Sequence, residues 1–164
     1  MDESPPLPRA GEGTGVRADP VNIFFDVDDT LVTWDFRLRP HVPEVFRRLR
    51  DDGHRLYVWS GRGKRWDVVL RYELSDLIVT CHEKPLDDHH AKLAGLGVDV
   101  WPDFVIDDHY AVVHAFGGYF IAPPRRPFEQ DREMWKAYDA VNRFLAERAA
   151  GIVHDRFIAR WDQR

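Results

Sequence analysis

The stretch Val21-Asn22-Ile23-Phe24-Phe25-Asp26-Val27-Asp28-Asp29-Thr30 decides how the rest of the chain is read. Its first half is an apolar run without alternation, the pattern of a strand buried on both faces. Its second half changes abruptly to carboxylates. In an open parallel sheet the carboxyl ends of the strands share one edge, and ligands bind in the crevice outside them. A strand that runs straight into Asp26 and Asp28 therefore poses a question for the others: what stands at their ends?

Working outward, short apolar runs alternate with segments of helical period, which is the signature of parallel strands joined by crossover helices. The pattern predicts strands over 21–25, 54–59, 77–80, 104–106 and 119–122, and helices over 43–52, 65–74, 86–94, 110–116 and 128–150. In the last helix Met134, Trp135, Tyr138, Val141, Phe144 and Leu145 recur at helical spacing and are read as a core stripe. Residues 152–161 are apolar enough to pack back or to meet another subunit. The expected fold is α/β: a three-layer, open, mostly parallel sheet with helices on both faces. Residues 21–164 form one domain in this reading. Residues 1–20, rich in Pro, Gly and charge, are expected to be a flexible tail, since they hold too little apolar surface to offset the entropy of ordering.

Composition narrows the function. The chain has 164 residues, 44% of them hydrophobic, which suits a single core. A formal net charge of -5 argues against a surface built to hold polyanions, so nucleic acid is not the favoured partner, although it stays open. The single cysteine, Cys81, cannot close an intrachain disulfide, and no leader pattern opens the chain. No apolar run approaches the ~20 residues that cross a bilayer. A soluble, cytoplasmic protein without a membrane partner is expected; a homo-oligomer stays open.

At the strand ends stand Asp26, Asp28, Asp29 and Thr30; Ser60, Gly61, Arg62 and Gly63; Glu83, Lys84 and Pro85; and Asp107 with Asp108. Carboxylates that converge on one point are costly to keep ionised unless a cation sits among them. An all-oxygen set with no cysteine or multi-histidine ligands suits Mg2+. Lys84 as a point charge and Ser60 as a donor would complete a pocket for a tetrahedral dianion. A P-loop enzyme is excluded, because GxxxxGK followed by Ser or Thr does not occur.

In this order the residues resemble the haloacid dehalogenase superfamily, most of whose members are phosphatases, and the resemblance covers about residues 21–123. It implies that Asp26, in the DxDxT of residues 26–30, is the nucleophile and Asp28 the general acid/base. Ser60 with Gly61, and Lys84, match the motifs that bind the phosphate. The metal, Mg2+, would be held by the side chain of Asp26, the main-chain carbonyl of Asp28 and an acid of the last motif, Asp107 or Asp108. Asp28 favours a phosphatase over a dehalogenase, whose halide leaving group needs no acid. The activity implied is a Mg2+-dependent phosphomonoester hydrolase working through an aspartyl phosphate. A phosphotransferase on the same fold and a non-catalytic phosphate-binding or interaction module are the alternatives.

Some positions stay open at this level. Asp29 stands where many relatives carry Gly. The intervals from Asp26 to Ser60 and from Ser60 to Lys84 leave no room for a separate cap domain, so recognition falls to residues 32–40 and to the loop after Ser60. Trp34, Phe36, Arg37 and Arg39 are candidates for substrate contact there, with Arg62 as a further one. The partner expected is a phosphorylated small molecule or an exposed macromolecular phosphate. Asp87-Asp88-His89-His90 reads as the solvated first turn of a helix, and His109 as a surface histidine beside the acidic pair.

Overall fold

A computed structural model describes residues 18–163 of the chain; the expectation of a flexible tail concerns mostly residues 1–17, which lie outside the described residues. Successive side chains of the central strands alternate between two buried faces. Ile23 and Phe25 of β1 (Asn22–Phe25) face one side with Leu56 and Val58 of β2 (Arg55–Ser60) and with Phe104 and Ile106 of β4 (Phe104–Asp107). Phe24, Tyr57, Trp59 and Val105 face the other. Both faces are apolar because helices and coil cover both, as the unbroken apolar run around Ile23 requires.

Three helices cover the first face: α1 (Val42–Asp51), α2 (Trp66–Arg71) and α4 (Glu133–Ala149). On α1, Val45, Phe46 and Leu49 lose all solvent contact, which stabilises the fold by on the order of 2 kcal/mol apiece. On α4, Met134, Ala137 and Val141 are buried, while Trp135, Tyr138, Phe144 and Leu145 pack against the margin of the core. The second face is closed by Val112 and Phe116 of α3 (Tyr110–Phe116), with Leu93 and Val98 from the segment before β4.

The remaining strands are β3 (Thr80–Glu83), β5 (Gly118–Phe120) and β6 (Ile158–Arg160). All six strands run parallel, in the order β3-β2-β1-β4-β5-β6. The chain leaves β1 toward β2 and β3, then returns to pair β4 against the opposite edge of β1. The topological switch point thus lies between the ends of β1 and β4, where a crevice opens for ligand. The apolar tail packs back as β6, burying Phe157 and Ala159. Strand β5 lies so close to β4 that a Cβ at Gly118 would collide with the backbone of Val105. Among the described residues no helix is long and apolar enough to cross a membrane.

Three expectations are corrected. The third strand is not 77–80 but Thr80–Glu83, with Tyr57 opposite Thr80 and Ser60 opposite Glu83. His82 is the reason. Burial lowers its pKa, so it behaves as a neutral aromatic ring and stacks on Phe24 and Tyr57, whereas Val79 is exposed. The helix expected over 86–94 does not form: the segment runs through turns, with Asp88 at φ 41, into a short 3-10 turn at Ala94–Leu96. Leu93 is its only fully buried apolar anchor before Ala94, which is too little to offset helix nucleation. The last helix begins at Glu133 instead of 128, because the Asp131 carboxylate accepts the Glu133 N–H at 3.1 Å and ends the preceding 3-10 turn.

Candidate active site

The ladder itself fixes the site residues. Asp26 N–H donates to the Ile106 carbonyl at 3.0 Å, extending the β1–β4 pairing by one step, and Lys84 N–H donates to the Ser60 carbonyl at 2.9 Å, doing the same for β2 and β3. Asp26, Ser60, Lys84 and Asp107 are all buried at the carboxyl edge of the sheet. Lys84 Nζ donates to Asp26 Oδ1 at 2.9 Å and to Asp107 Oδ2 at 2.8 Å. One ammonium group therefore ties the ends of β1 and β4 together across the switch point.

The other oxygens are held as firmly. Thr30 Oγ donates to Asp26 Oδ2 at 3.2 Å, and Asp107 Oδ1 accepts the His109 N–H at 2.8 Å. Asp108 Oδ1 lies 3.3 Å from His109 Nδ1. Carboxylate oxygens of Asp26, Asp107 and Asp108 and a ring nitrogen of His109 all lie within 4.8 Å of one another. Burial, and after it the charge of Asp107, push the Asp26 carboxyl well above the usual range, with Lys84 only partly offsetting them. A bond to Asp107, assisted by the charge of Asp108, pushes His109 up to about 9. A site that raises a buried carboxyl in this way has room, electrostatically, for one more positive charge, and an oxygen-rich set suits a hard divalent cation.

Asp28 stands apart from this cluster. Arg65 Nη1 donates to its two oxygens at 3.1 and 3.0 Å, and Arg62 Nη1 lies 3.8 Å away. Asp28 still lines the cavity that contains Asp26, Ser60, Gly61 and Lys84. Ser60 Oγ accepts the Arg62 N–H at 3.1 Å, which turns the loop after β2 toward the same space. Asp29 lines it as well, at φ 59, a left-handed conformation that Asp is among the few side chains to tolerate.

The flap candidates divide. Trp34 and Phe36 line the cavity. Arg39 does not: it is buried, paired through Nε and Nη2 with Asp131 at 2.9 Å each, and it donates to the carbonyls of Thr30 and Ala122. Arg37 lies over the Phe128 ring and pairs with Asp35. His89 reaches the cavity wall, while His90 packs against Trp101 and Phe116. Two residues of the site escape a reading of the sequence: Arg65, whose partner is far away in the chain, and Thr30 as a direct partner of Asp26. Only the DxDxT spacing hinted at the second.

The family model for haloacid dehalogenase-like hydrolases matches residues 23–82. Over that segment the chain is similar to haloacid dehalogenase-like hydrolases. The matched segment carries Asp26, Asp28, Thr30 and Ser60 and runs from β1 into β3. Lys84, Asp107 and Asp108 lie beyond it and join the site by geometry. No curated protein matches the chain.

Proposed function

We propose that the chain is a Mg2+-dependent phosphomonoester hydrolase that works through a phosphoryl group carried on Asp26. The observation that supports this most is the buried Asp26–Lys84–Asp107 bridge at the switch point, where a carboxylate and a fixed cation share one crevice. The ion would be held by Asp26, the main-chain carbonyl of Asp28 and Asp107 or Asp108, and would supply neutralisation of the phosphoryl oxygens.

In the first step Asp26 attacks phosphorus as the ester P–O bond breaks, and the departing oxygen takes a proton from Asp28, which enters the step protonated and released from Arg65. In the second, water gives a proton to Asp28 and attacks phosphorus, the bond to Asp26 breaks, and inorganic phosphate leaves. Lys84 and the hydroxyl of Ser60 hold the equatorial oxygens throughout. Between β1 and α1 the chain forms only a short hairpin, and the link from β2 to α2 is residues 61–65, so the site stays open to its ester. A cytoplasmic setting, with Mg2+ at hand, suits this chemistry.

The test is a panel of phosphomonoesters assayed with Mg2+, with chelator, and with Asp26→Asn. Turnover that disappears in both controls is expected, with Asp26→Asn losing about 10^4-fold or more. Hydrolysis that survives Asp26→Asn would place the chemistry elsewhere.

A further inference from the structure

The cavity above the carboxylates, about 570 Å³, changes character with height. Its floor is Asp26, Ser60 and Lys84; its walls are Trp34, Phe36, Leu86 and the start of α3 at Ala111 and Val112. Trp34 is 84% exposed, Leu86 72% and Phe36 43%, an unusual concentration of bare apolar surface around a charged floor. Leu86 lies over Gly61, filling the space where a Cβ would stand, so the apolar wall begins one residue from Ser60.

The flap that carries the two rings is built to hold them. Val32 bridges Leu38 antiparallel, Thr33 N–H donates to the Arg37 carbonyl at 2.9 Å, and Arg37 N–H returns to Thr33 Oγ at 3.0 Å. Phe36 sits at φ 61, a conformation that bulky residues adopt at a cost, and its carbonyl accepts the Tyr72 hydroxyl of the chain beyond α2. A strained aromatic residue, pinned from outside, beside an exposed tryptophan is not explained by packing of the core. Beyond the groups already assigned, the polar lining is Asp29, Arg62, His89 and His109; among the described residues no amide side chain lines the walls to pair with sugar hydroxyls.

Building on the proposed phosphatase reading, we infer that Trp34, Phe36 and Leu86 form a clamp for an aromatic ring attached to the phosphate directly or through one atom, so that the substrate class is aryl or arylmethyl phosphomonoesters. Ring faces of Trp34 and Phe36 favour a planar partner over an aliphatic one of equal size. The same chemistry is offered by a free phenol ester and by a phosphotyrosine side chain.

Benzyl phosphate and cyclohexylmethyl phosphate leave as alcohols of similar basicity and similar bulk, so comparing their kcat/KM with Mg2+ isolates the ring. A preference of about tenfold for benzyl phosphate is expected, falling toward one in Trp34→Ala and largely retained in Trp34→Phe. Equal kcat/KM for the two esters, or a preference that survives Trp34→Ala, overturns the clamp while leaving the phosphatase reading in place. If neither ester turns over, calorimetric titration of the Mg2+-loaded protein with benzylphosphonate and cyclohexylmethylphosphonate decides. Tighter binding of the aromatic phosphonate supports the clamp and faults only the catalysis, and equal or absent binding overturns the clamp. A phosphotyrosine peptide used better than free phosphotyrosine assigns the ring to a protein, and the reverse assigns it to a small molecule. A phosphoserine peptide of the same sequence turned over equally well counts against the ring altogether.

Discussion

Asp26 is buried opposite Asp107, and its carboxyl is raised well above the ordinary range, first by burial and then by that neighbour's charge. A raised folded value means that this group favours folding below its ordinary value of 3.8 and that the contribution is lost as pH rises through the folded one. At neutral pH the ionised form is therefore a net cost in the metal-free protein. Asp26→Asn should raise metal-free stability by about 1 kcal/mol, seen as a Tm higher by roughly 2–4 °C, and should reduce whatever further rise the proposed Mg2+ gives the native chain. A variant less stable than the native chain without metal would contradict this account of the site. At this scale the sequence was informative where a motif and a strand end coincide: Asp26, Ser60 and Asp107 each close an apolar run, whereas Lys84 follows the mixed strand Thr80–Glu83. The pairs Arg65–Asp28 and Arg39–Asp131 were not legible, since each joins residues that only the folded chain makes neighbours.

Arg39 connects elements rather than substrates. Its guanidinium reaches the Asp131 carboxylate before α4, the Thr30 carbonyl in the loop after β1, and the Ala122 carbonyl after β5. Removing it leaves a buried carboxylate unpaired, so Arg39→Ala should cost about 3–5 kcal/mol, measured by urea denaturation, whereas Arg37→Ala on the exposed flap should cost under about 1 kcal/mol. Equal effects would mean that Arg39 is no brace. Strands β1, β2 and β4 were readable because their apolar runs are too short for a helix and end in polar or glycine-bearing loops. The segment 86–94 has the polar opening of a helix but only Leu93 to bury, and β3 lies further along than its apolar run suggests because His82 packs as an aromatic ring.

For the molecule as a whole, buried and exposed histidines pull stability in opposite directions. Burial lowers His54 and His82 below 6.5, so their contribution is present above that value and is lost as pH falls through the folded ones. His109, raised to about 9 by its bond to Asp107, contributes fully below 6.5 and loses that contribution as pH climbs through about 9. The denaturation midpoint of the metal-free protein should accordingly peak between these ranges, near pH 6.5 to 7, and decline on either side. A midpoint that rises steadily to pH 9 would remove His109 from the balance. The parallel order was legible from the alternation of runs, but the switch between β1 and β4 was not, because nothing in a linear pattern says on which edge the fourth strand lands. That landing also gives Gly118 an influence out of proportion to its size. Its missing side chain lets β5 press on Val105, and two residues further along β4 lies Asp107. A methyl group at 118 would lever the pair apart at the root of the acidic cluster, so a lesion well behind the carboxylates would first announce itself in the seating of Asp107.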